Sequence, residues 1–515
     1  MSLLDRVGLG RREVRGVTRG TRERMDDPTR VIVVGGGLAG VSAACVLAER
    51  GVHVTLLEKE PFLGGRVGAW TEHLPDGTPF QMERGFHAFF RQYYNLRNLL
   101  RRVDPDLSRL RPLEDYPILG PEGAVESFAD LPKTPPLNLM SLLRRTQFVS
   151  FKDLRGIDQG RAKLMLMFDP MRTYADYDDR TAREYLDSLK FPPRARQMLF
   201  DVFSHSFFNP EEGMSAAEML MMFHFYFLGN PEGLVFDVLD EPFSDGLWRP
   251  MERYLAARGV DVRLGCPVSA VESRAKGTRW VAATEGGEIE ADGLVLAVHV
   301  PALQRLLGSS PELAADADFA RSIDGLGVTL PFAVWRLFLD RPADGERHPF
   351  VGTAGRGILD NISLFERFEG ESRRWALRTG GSVAELHAYA VKHDDADAIK
   401  RDLLAGLHAL YPELADAKVL HESWLWRQDC PSFTPGSHAT RPRVATPYGN
   451  VVLAAVRAGS GAPTLSSTTL ARAVRSLAVP ARVVTGDELR AFVGTAPVLD
   501  DPAGTSADGT AADGS

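Results

Sequence analysis

The stretch Arg30–Val67, RVIVVGGGLAGVSAACVLAERGVHVTLLEKEPFLGGRV, constrains the fold of this chain more than any other. Val31–Val34 is a short, apolar, β-branched run, which predicts a strand buried on both faces, as in a parallel sheet. Gly35, Gly37 and Gly40 follow at the spacing G-x-G-x-x-G. Apolar residues recur at helical spacing through Ala44 to Glu49, Gly51 ends the helix, and Val52–Leu57 predicts a second strand that delivers Glu58. Each residue type has a physical task. Gly35 permits the tight turn out of the strand, Gly37 lets a pyrophosphate approach the backbone, and Gly40 with Ala44 lets the helix lie close to the sheet. The helix start presents unbonded N–H groups to an anion. Glu58, eighteen residues past Gly40, is placed to accept hydrogen bonds from a ribose diol. Packing alone would explain the glycines but leave Glu58 without a task, so the ordered set predicts a dinucleotide site.

The next residues, Pro61-Phe62-Leu63-Gly64-Gly65-Arg66-Val67, put two glycines and an arginine directly after that carboxylate. Such a run can build a second backbone nest for phosphate, with Arg66 as counter-charge. It resembles the segment that follows the dinucleotide fold in the flavin-containing amine oxidase and carotenoid desaturase superfamily. The resemblance implies noncovalently held FAD. NAD is the alternative, and Gly64-Gly65-Arg66 argues against it.

Composition sets outer bounds. The 515 residues, 44% hydrophobic and 25% charged, suffice for two domains with cores of their own. A net charge of −8 offers no basic stripe, so nucleic acid is not an expected partner. Cys45, Cys266 and Cys430 are scattered without metal-ligand spacing, so no metal site is expected and a reducing cytoplasm is. No run of about 20 apolar residues predicts a membrane span. Residues 1–29 are arginine-rich, lack the apolar centre of a signal peptide and predict a disordered basic tail. Residues 486–515 predict a second disordered tail, most plainly over Asp500–Ser515.

Between the tails, two kinds of block alternate. Residues 30–114, 241–305 and 426–485 are assigned to the cofactor domain, and 115–240 and 306–425 to a substrate domain, helical first and then sheet plus helix. Helices are predicted over Asn95–Val103, Arg161–Phe168, Thr181–Leu189, Pro193–Phe203 and Trp248–Arg258, and a hairpin within Asp115–Leu131. Strands are predicted over Val260–Leu264, Val268–Glu272, Trp280–Thr284 and Leu294–Val298. Phe332–Leu339, Ile358–Phe365 and Leu386–Val391 predict a separate mixed sheet crossed by the amphipathic helix Ala396–Tyr411. The fold class is therefore α/β: a Rossmann-type FAD-binding domain of the glutathione-reductase-like kind, interleaved with an α+β substrate domain. The helix Ser215–Gly229, SAAEMLMMFHFYFLG, is apolar almost all round. It is either an ordinary core helix or the adaptable wall of an apolar slot.

The resemblance sharpens at Glu83-x-Gly85-Phe86-His87-x-Phe89-Phe90, followed by Tyr94-Asn95-Leu96. This looks like the matching segment of carotenoid desaturases, the ζ-carotene type especially, and implies that Gly85 and Phe86 run beside the flavin. Val268 resembles the residue whose backbone meets the adenine. Longer stretches, GFHAFFRQYYNLRNLLRRVDP from Gly85, LFDVFSHSFFNPEEGMSAAEMLMMFHFYFLGNPEGLVFDV from Leu199 and DNISLFERFEG from Asp360, resemble the ring-aromatising β-carotene desaturase/methyltransferase family. The likeness runs from about Arg30 to Ala454. It implies an FAD-dependent oxidoreductase acting on β-carotene, whose end rings become the aromatic φ rings of isorenieratene while a methyl group moves from C1 to C2. Hydride loss leaves a cation that ring faces can stabilise, and a base must then take a proton. Glu83, His87 and His205 are the candidates. Each has a plain alternative: Glu83 paired with Arg84, His87 packed in a core, His205 on a helix surface. The substrate's insolubility predicts peripheral membrane contact through an exposed apolar patch. The electron acceptor stays open, and a linear carotene desaturase is the alternative activity.

The family pattern ends in a strand followed by Ala-Gly-Asp at the flavin. Here Asn450–Ala454 begins the strand, but Ala455-Val456-Arg457 follows, and no Asp or Glu occurs between Cys430 and Gly486. The break falls at one residue and reads as a shifted reading frame. A genuinely divergent end is the other account, and an impaired flavoprotein is the functional reading it would imply.

Overall fold

The computed structural model describes residues 28–454, apart from 133–136, 147–155, 159–167, 191–195, 197–204, 229–233, 235 and 445. Arg30–Val34 and His53–Leu57 are parallel strands joined by the helix Leu38–Glu49. With Asp261–Arg263, Gly293–Leu296 and Val451–Leu453 they form one parallel sheet, in the spatial order 261–263, 53–57, 30–34, 293–296, 451–453. Alternate residues of the first strand serve two cores. Val31 and Val33 pack with the helix residues Val41, Ala44 and Leu47. Ile32 and Val34 pack with Val271, Trp280 and Leu303, contributed by an antiparallel meander (Val268–Arg274, Arg279–Thr284, Gly287–Ala291) and the helix Val300–Gly308. Burial on both faces is the reason for the unbroken β-branched run.

The glycine spacing has a steric cause. Gly35 turns at φ +105°, and a Cβ on Gly40 would lie 1.8 Å from the Gly35 carbonyl oxygen. No side chain fits where the helix crosses the turn.

A seven-stranded mixed sheet has the order 419–427, 332–339, 382–388, 361–364, 350–353, 118–119, 125–126. The helix Ala396–Leu410 covers one face, burying Ile399, Leu403 and Leu407 against Trp335, Leu337 and Leu386. The other face carries Val334, Arg336 and Phe338 on one strand and Val383, Glu385 and His387 on its neighbour. Val334, Phe338 and Val383 belong to the same core as the nucleotide-fold helix.

Several expectations shift in detail. The apolar helix runs Ala216–Phe223 and widens into a π-turn at His224–Leu228. The segment expected to be helical from Trp248 is α-helical over Arg249–Ala256 and entered through a π-turn at Ser244–Trp248, because Pro250 has no N–H to donate to a preceding turn. The strand expected at Leu386–Val391 lies at Ser382–Ala388 and stops before Ala390, which has φ +50°. The hairpin Ala69–His73/Pro79–Glu83 and the strand Val419–Arg427 were not anticipated, although Asp76-Gly77 supplies the hairpin's turn signal. The helices expected at 161–168 and 193–203 lie mostly outside the described residues, as do almost all of 1–29 and the whole of 486–515.

Candidate functional site

A cavity of about 1550 Å³ extends from the glycine turn to the seven-stranded sheet. Gly35, Gly37, Glu58, Gly64, Gly65, Arg66 and Val268 line one end. Their arrangement suits an adenine dinucleotide. Gly37 caps the helix Leu38–Glu49 with no side chain bonded to the helix start and no acidic residue in its first turn, so free N–H groups face the cavity. Gly37 pairs with Gly64 in a short bridge. A Cβ on Gly37 would point at Gly65 Cα, 3.9 Å away, filling the space between the two glycine segments that a pyrophosphate needs. Glu58 is buried, and its two carboxylate oxygens accept from the N–H groups of Gly36 at 2.6 Å and Glu60 at 2.9 Å. Burial raises its pKa, against the pull of those two N–H groups. Each oxygen keeps a lone pair for a ribose hydroxyl. Arg66 lines the same end, where its charge acts on Asp429 and Cys430 and can meet a phosphate. FAD bound here would be held by these groups. Ala454, which follows the strand Val451–Leu453, donates its N–H to the Leu296 carbonyl at the same end of the sheet, and residues 455–515 lie outside the description.

The other end is aromatic. Phe86 stacks on Phe350 at 4.3 Å between centroids and meets the edges of Phe236 and Phe368 at 5.9 and 5.7 Å. Phe90 contacts Tyr226, and Phe208 contacts Phe332 and Tyr389, all at 4.8 Å. Of the phenylalanines expected to line a slot, Phe86, Phe89, Phe90, Phe207 and Phe208 line the cavity, whereas Phe223, Phe225 and Phe227 are not among its lining residues. Among its described residues the apolar helix contributes only Tyr226 to the wall, while Met219, Leu220, Met222 and Phe223 are core. The core-helix alternative describes it.

The three candidate bases fall in different places. His87 is on the wall, with Nδ1 2.7 Å from the Gly85 carbonyl oxygen. That carbonyl can only accept, so Nδ1 carries the proton and Nε2 is bare. Burial pushes the imidazole pKa down to about 4, which keeps the ring neutral. His205 is not among the lining residues but bonds through Nδ1 to Asp360, which is, at 3.0 Å. Glu83 departs from expectation. It is buried behind the wall, accepts from the Phe243 N–H at 2.7 Å, and lies 4.0 Å from Arg336. Burial raises its carboxyl to about 8. Nor does Glu83 pair with Arg84, whose guanidinium instead grips Asp429 at 2.6 and 2.8 Å on the wall. Gly85 also sits behind the wall rather than on it. With φ +102°, a Cβ there would lie 2.7 Å from His387 Cε1.

Behind Phe86 lies a polar network that the sequence reading missed. Arg336 and Glu385 are directly paired across adjacent strands, with Nε 2.9 Å from Oε2. Glu385 Oε1 accepts from the Phe86 N–H at 2.9 Å and faces His387 Nε2 at 2.7 Å. His387 Nδ1 lies 2.5 Å from the Tyr389 hydroxyl, which accepts from the Asn361 amide at 2.9 Å. Glu385 is held down at about 2: burial opposes ionisation, and the charge of Arg336 with the hydrogen bond to His387 outweighs it. Glu385, His387 and Tyr389 recur at period two, the signal that could have found them.

Comparison with known proteins agrees with this geometry. Residues 38–462 match the family described as flavin containing amine oxidoreductase. The chain is 48% identical over 429 residues to the carotenoid phi-ring synthase of Streptomyces griseus, covering 83% of each. It is 30% identical to the carotenoid phi-ring synthase of Chlorobaculum tepidum, covering 86% of each. A solved putrescine oxidase variant shares the fold, with TM-score 0.64 at 18% identity over 87% of this chain and 99% of that one. The glycine turns, the buried carboxylate of Glu58 and the family match lead to one conclusion: the chain belongs to the flavin-containing amine oxidoreductase family and is an FAD-dependent oxidoreductase.

Proposed function

We propose that this chain converts the end rings of β-carotene to aromatic φ rings, by desaturation with a methyl shift from C1 to C2. The observation that carries the reading is one cavity that joins the dinucleotide cradle to a wall of aromatic rings. The similarity to phi-ring synthases supports it.

FAD supplies hydride acceptance when bound. The residues of the chain do the rest. Gly37, Gly64, Gly65 and Arg66 hold its phosphates, Glu58 its ribose, and the backbone at Val268 its adenine. Phe86, held by the N–H bond to Glu385 and by Phe350, presents a ring beside the reacting carbon. The surrounding rings exclude water and stabilise a ring cation through their π faces. Each ring loses four hydrogens overall, and the methyl shift is internal, so no methyl donor is required.

The substrate reaches this cavity from a membrane. The helix Leu137–Arg145 exposes Leu137 and Met140 next to exposed Arg144 and Arg145. Apolar side chains beside cations suit an anionic lipid surface. Asn138 ties this helix to the Phe227 carbonyl at 2.6 Å, one residue from Tyr226 on the cavity wall. Among the described residues no helix is long and apolar enough to cross a membrane.

The test is expression in cells that accumulate β-carotene, followed by chromatography and mass measurement of the pigments. Loss of eight hydrogens with two aromatic ends is the expected result. Unchanged β-carotene, both with this chain and with a variant carrying Ala-Gly-Asp after Leu453, would overturn the proposal. So would a lengthened linear chromophore, the mark of a linear desaturase.

A further inference from the structure

We propose that Tyr389, His387 and Glu385 form the proton acceptor of this site, with the Tyr389 hydroxyl touching the substrate and His387 receiving the charge. The inference rests on the ring-aromatising reading and adds to it the residues that complete each dehydrogenation.

The hydrogen bonds dictate the direction. Glu385 is fully buried, and Arg336 occupies its Oε2 while Phe86 N–H and His387 Nε2 share its Oε1. A carboxylate so held only accepts, so His387 Nε2 carries a proton, and in the neutral imidazole Nδ1 is then bare. Nδ1 therefore accepts the Tyr389 O–H across 2.5 Å. Both nitrogens of His387 are engaged, and it cannot take a proton from substrate directly. Tyr389 can: it lines the cavity as His387 does, and its oxygen keeps one lone pair after accepting from Asn361. Burial keeps its phenol protonated, which suits a shuttle rather than an anionic base. His87, also on the wall, bonds the Gly85 carbonyl through its far nitrogen, and Glu385 acts on it only through space, too weakly to offset its burial.

The step balances. The C–H bond next to the cationic ring carbon breaks, and its electron pair becomes the new C=C bond. The proton forms an O–H bond on Tyr389 as the original Tyr389 proton moves to His387 Nδ1. The resulting imidazolium is neutralised by Glu385. Other titratable groups facing the triad include Arg336, which is committed to Glu385, Glu83 behind it, Asp360, which accepts from the Tyr389 backbone N–H at 2.6 Å and pairs with His205, and the neutral His87 and Cys430.

The experiment compares the full-length, FAD-loaded enzyme with Tyr389→Phe. Retained flavin absorbance confirms folding, and the absorbance of bound β-carotene reports substrate binding. Binding should be unchanged while turnover falls by about 100-fold or more, the scale of general-base catalysis. Wild-type turnover should slow in D2O, and the residual turnover of the variant should not. Tyr389→Phe at the wild-type rate overturns the proposal, as does His87→Gln losing turnover that Tyr389→Phe keeps. Failure of the ring-aromatising reading looks different: the wild type would leave β-carotene intact and convert a linear carotene. The same comparison on that carotene, which must also lose a proton, then supports or overturns the relay.

Discussion

Substituting Glu83 by Gln should stabilise the protein at neutral pH and leave turnover intact. Glu83 is 3% exposed, its one close hydrogen bond is from the Phe243 N–H, and Arg336 stands off at 4.0 Å. Its carboxyl, raised by burial to about 8 from an ordinary 4.5, stays protonated in the folded state at pH 7 while the unfolded chain ionises. The group is therefore neutral in its effect below about pH 4.5. It lowers stability progressively as pH rises towards 8, because the unfolded state alone releases the proton. At pH 7 the penalty reaches at most about 3 kcal/mol. Gln cannot ionise, and its carbonyl can still accept from Phe243. Thermal unfolding of the wild type and Glu83→Gln, followed at pH 5, 6, 7 and 8, isolates the effect, since all other titrations cancel in the difference. The variant should lie closest to the wild type at pH 5 and unfold several degrees higher at pH 8. A difference that does not grow with pH would refute the reasoning. Turnover lost with stability intact would return Glu83 to the role of catalytic base.

Other consequences follow from the same geometry. Gly85→Ala places a methyl 2.7 Å from the twice-bonded ring of His387, whereas Gly77→Ala, also at positive φ (+81°), meets nothing within 4 Å. The first should be the less stable by about 1–3 kcal/mol, the scale of overpacking, and equal melting temperatures would show that His387 yields. Arg336→Met leaves the Glu385 charge buried and alone, which should cost about 3–5 kcal/mol in denaturant unfolding; adding Glu385→Gln should recover much of it, and no recovery would deny the pairing. Arg66→Ala should weaken FAD binding by about 10- to 100-fold in titration of the apoprotein, the scale of a charge-assisted contact, while an unchanged affinity would remove Arg66 from the cradle. The protein should float with anionic liposomes, and Leu137→Ser with Met140→Ser should reduce the floated fraction; full solubility of the wild type would contradict membrane contact.

The nucleotide end was legible because its demands are backbone demands. Only glycine fits where Gly40 meets the Gly35 carbonyl, and a carboxylate at position 58 has no packing reason to sit at a strand end. The aromatic wall was legible for a similar reason, since Phe86, Phe89 and Phe90 cluster within five residues directly after a positive-φ glycine. The Glu385–His387–Tyr389 row was not. Its strand was placed from Leu386 onward, so Glu385 fell outside the predicted element. Arg336 is hidden inside the apolar run FAVWRLFL, and its partner lies 49 residues further along the chain. A buried ion pair is made by strand register, which a single sequence states weakly. Glu83 misled for the complementary reason: position beside a motif does not say which way a strand residue points, and this one points into the sheet interface. Helical periodicity could not separate a core helix from a slot wall at Ala216–Phe223, because both require the same residues.

The most direct test follows the migrating carbon. β-Carotene labelled in one C1 methyl of each ring, mixed with unlabelled β-carotene, is supplied to the FAD-loaded enzyme, and the product is resolved by mass and NMR. The account predicts aromatic rings that keep every label, with part of it now on C2 and no exchange between labelled and unlabelled molecules. Label lost from the product, label scrambled between molecules, or a longer linear chromophore with intact rings would contradict it.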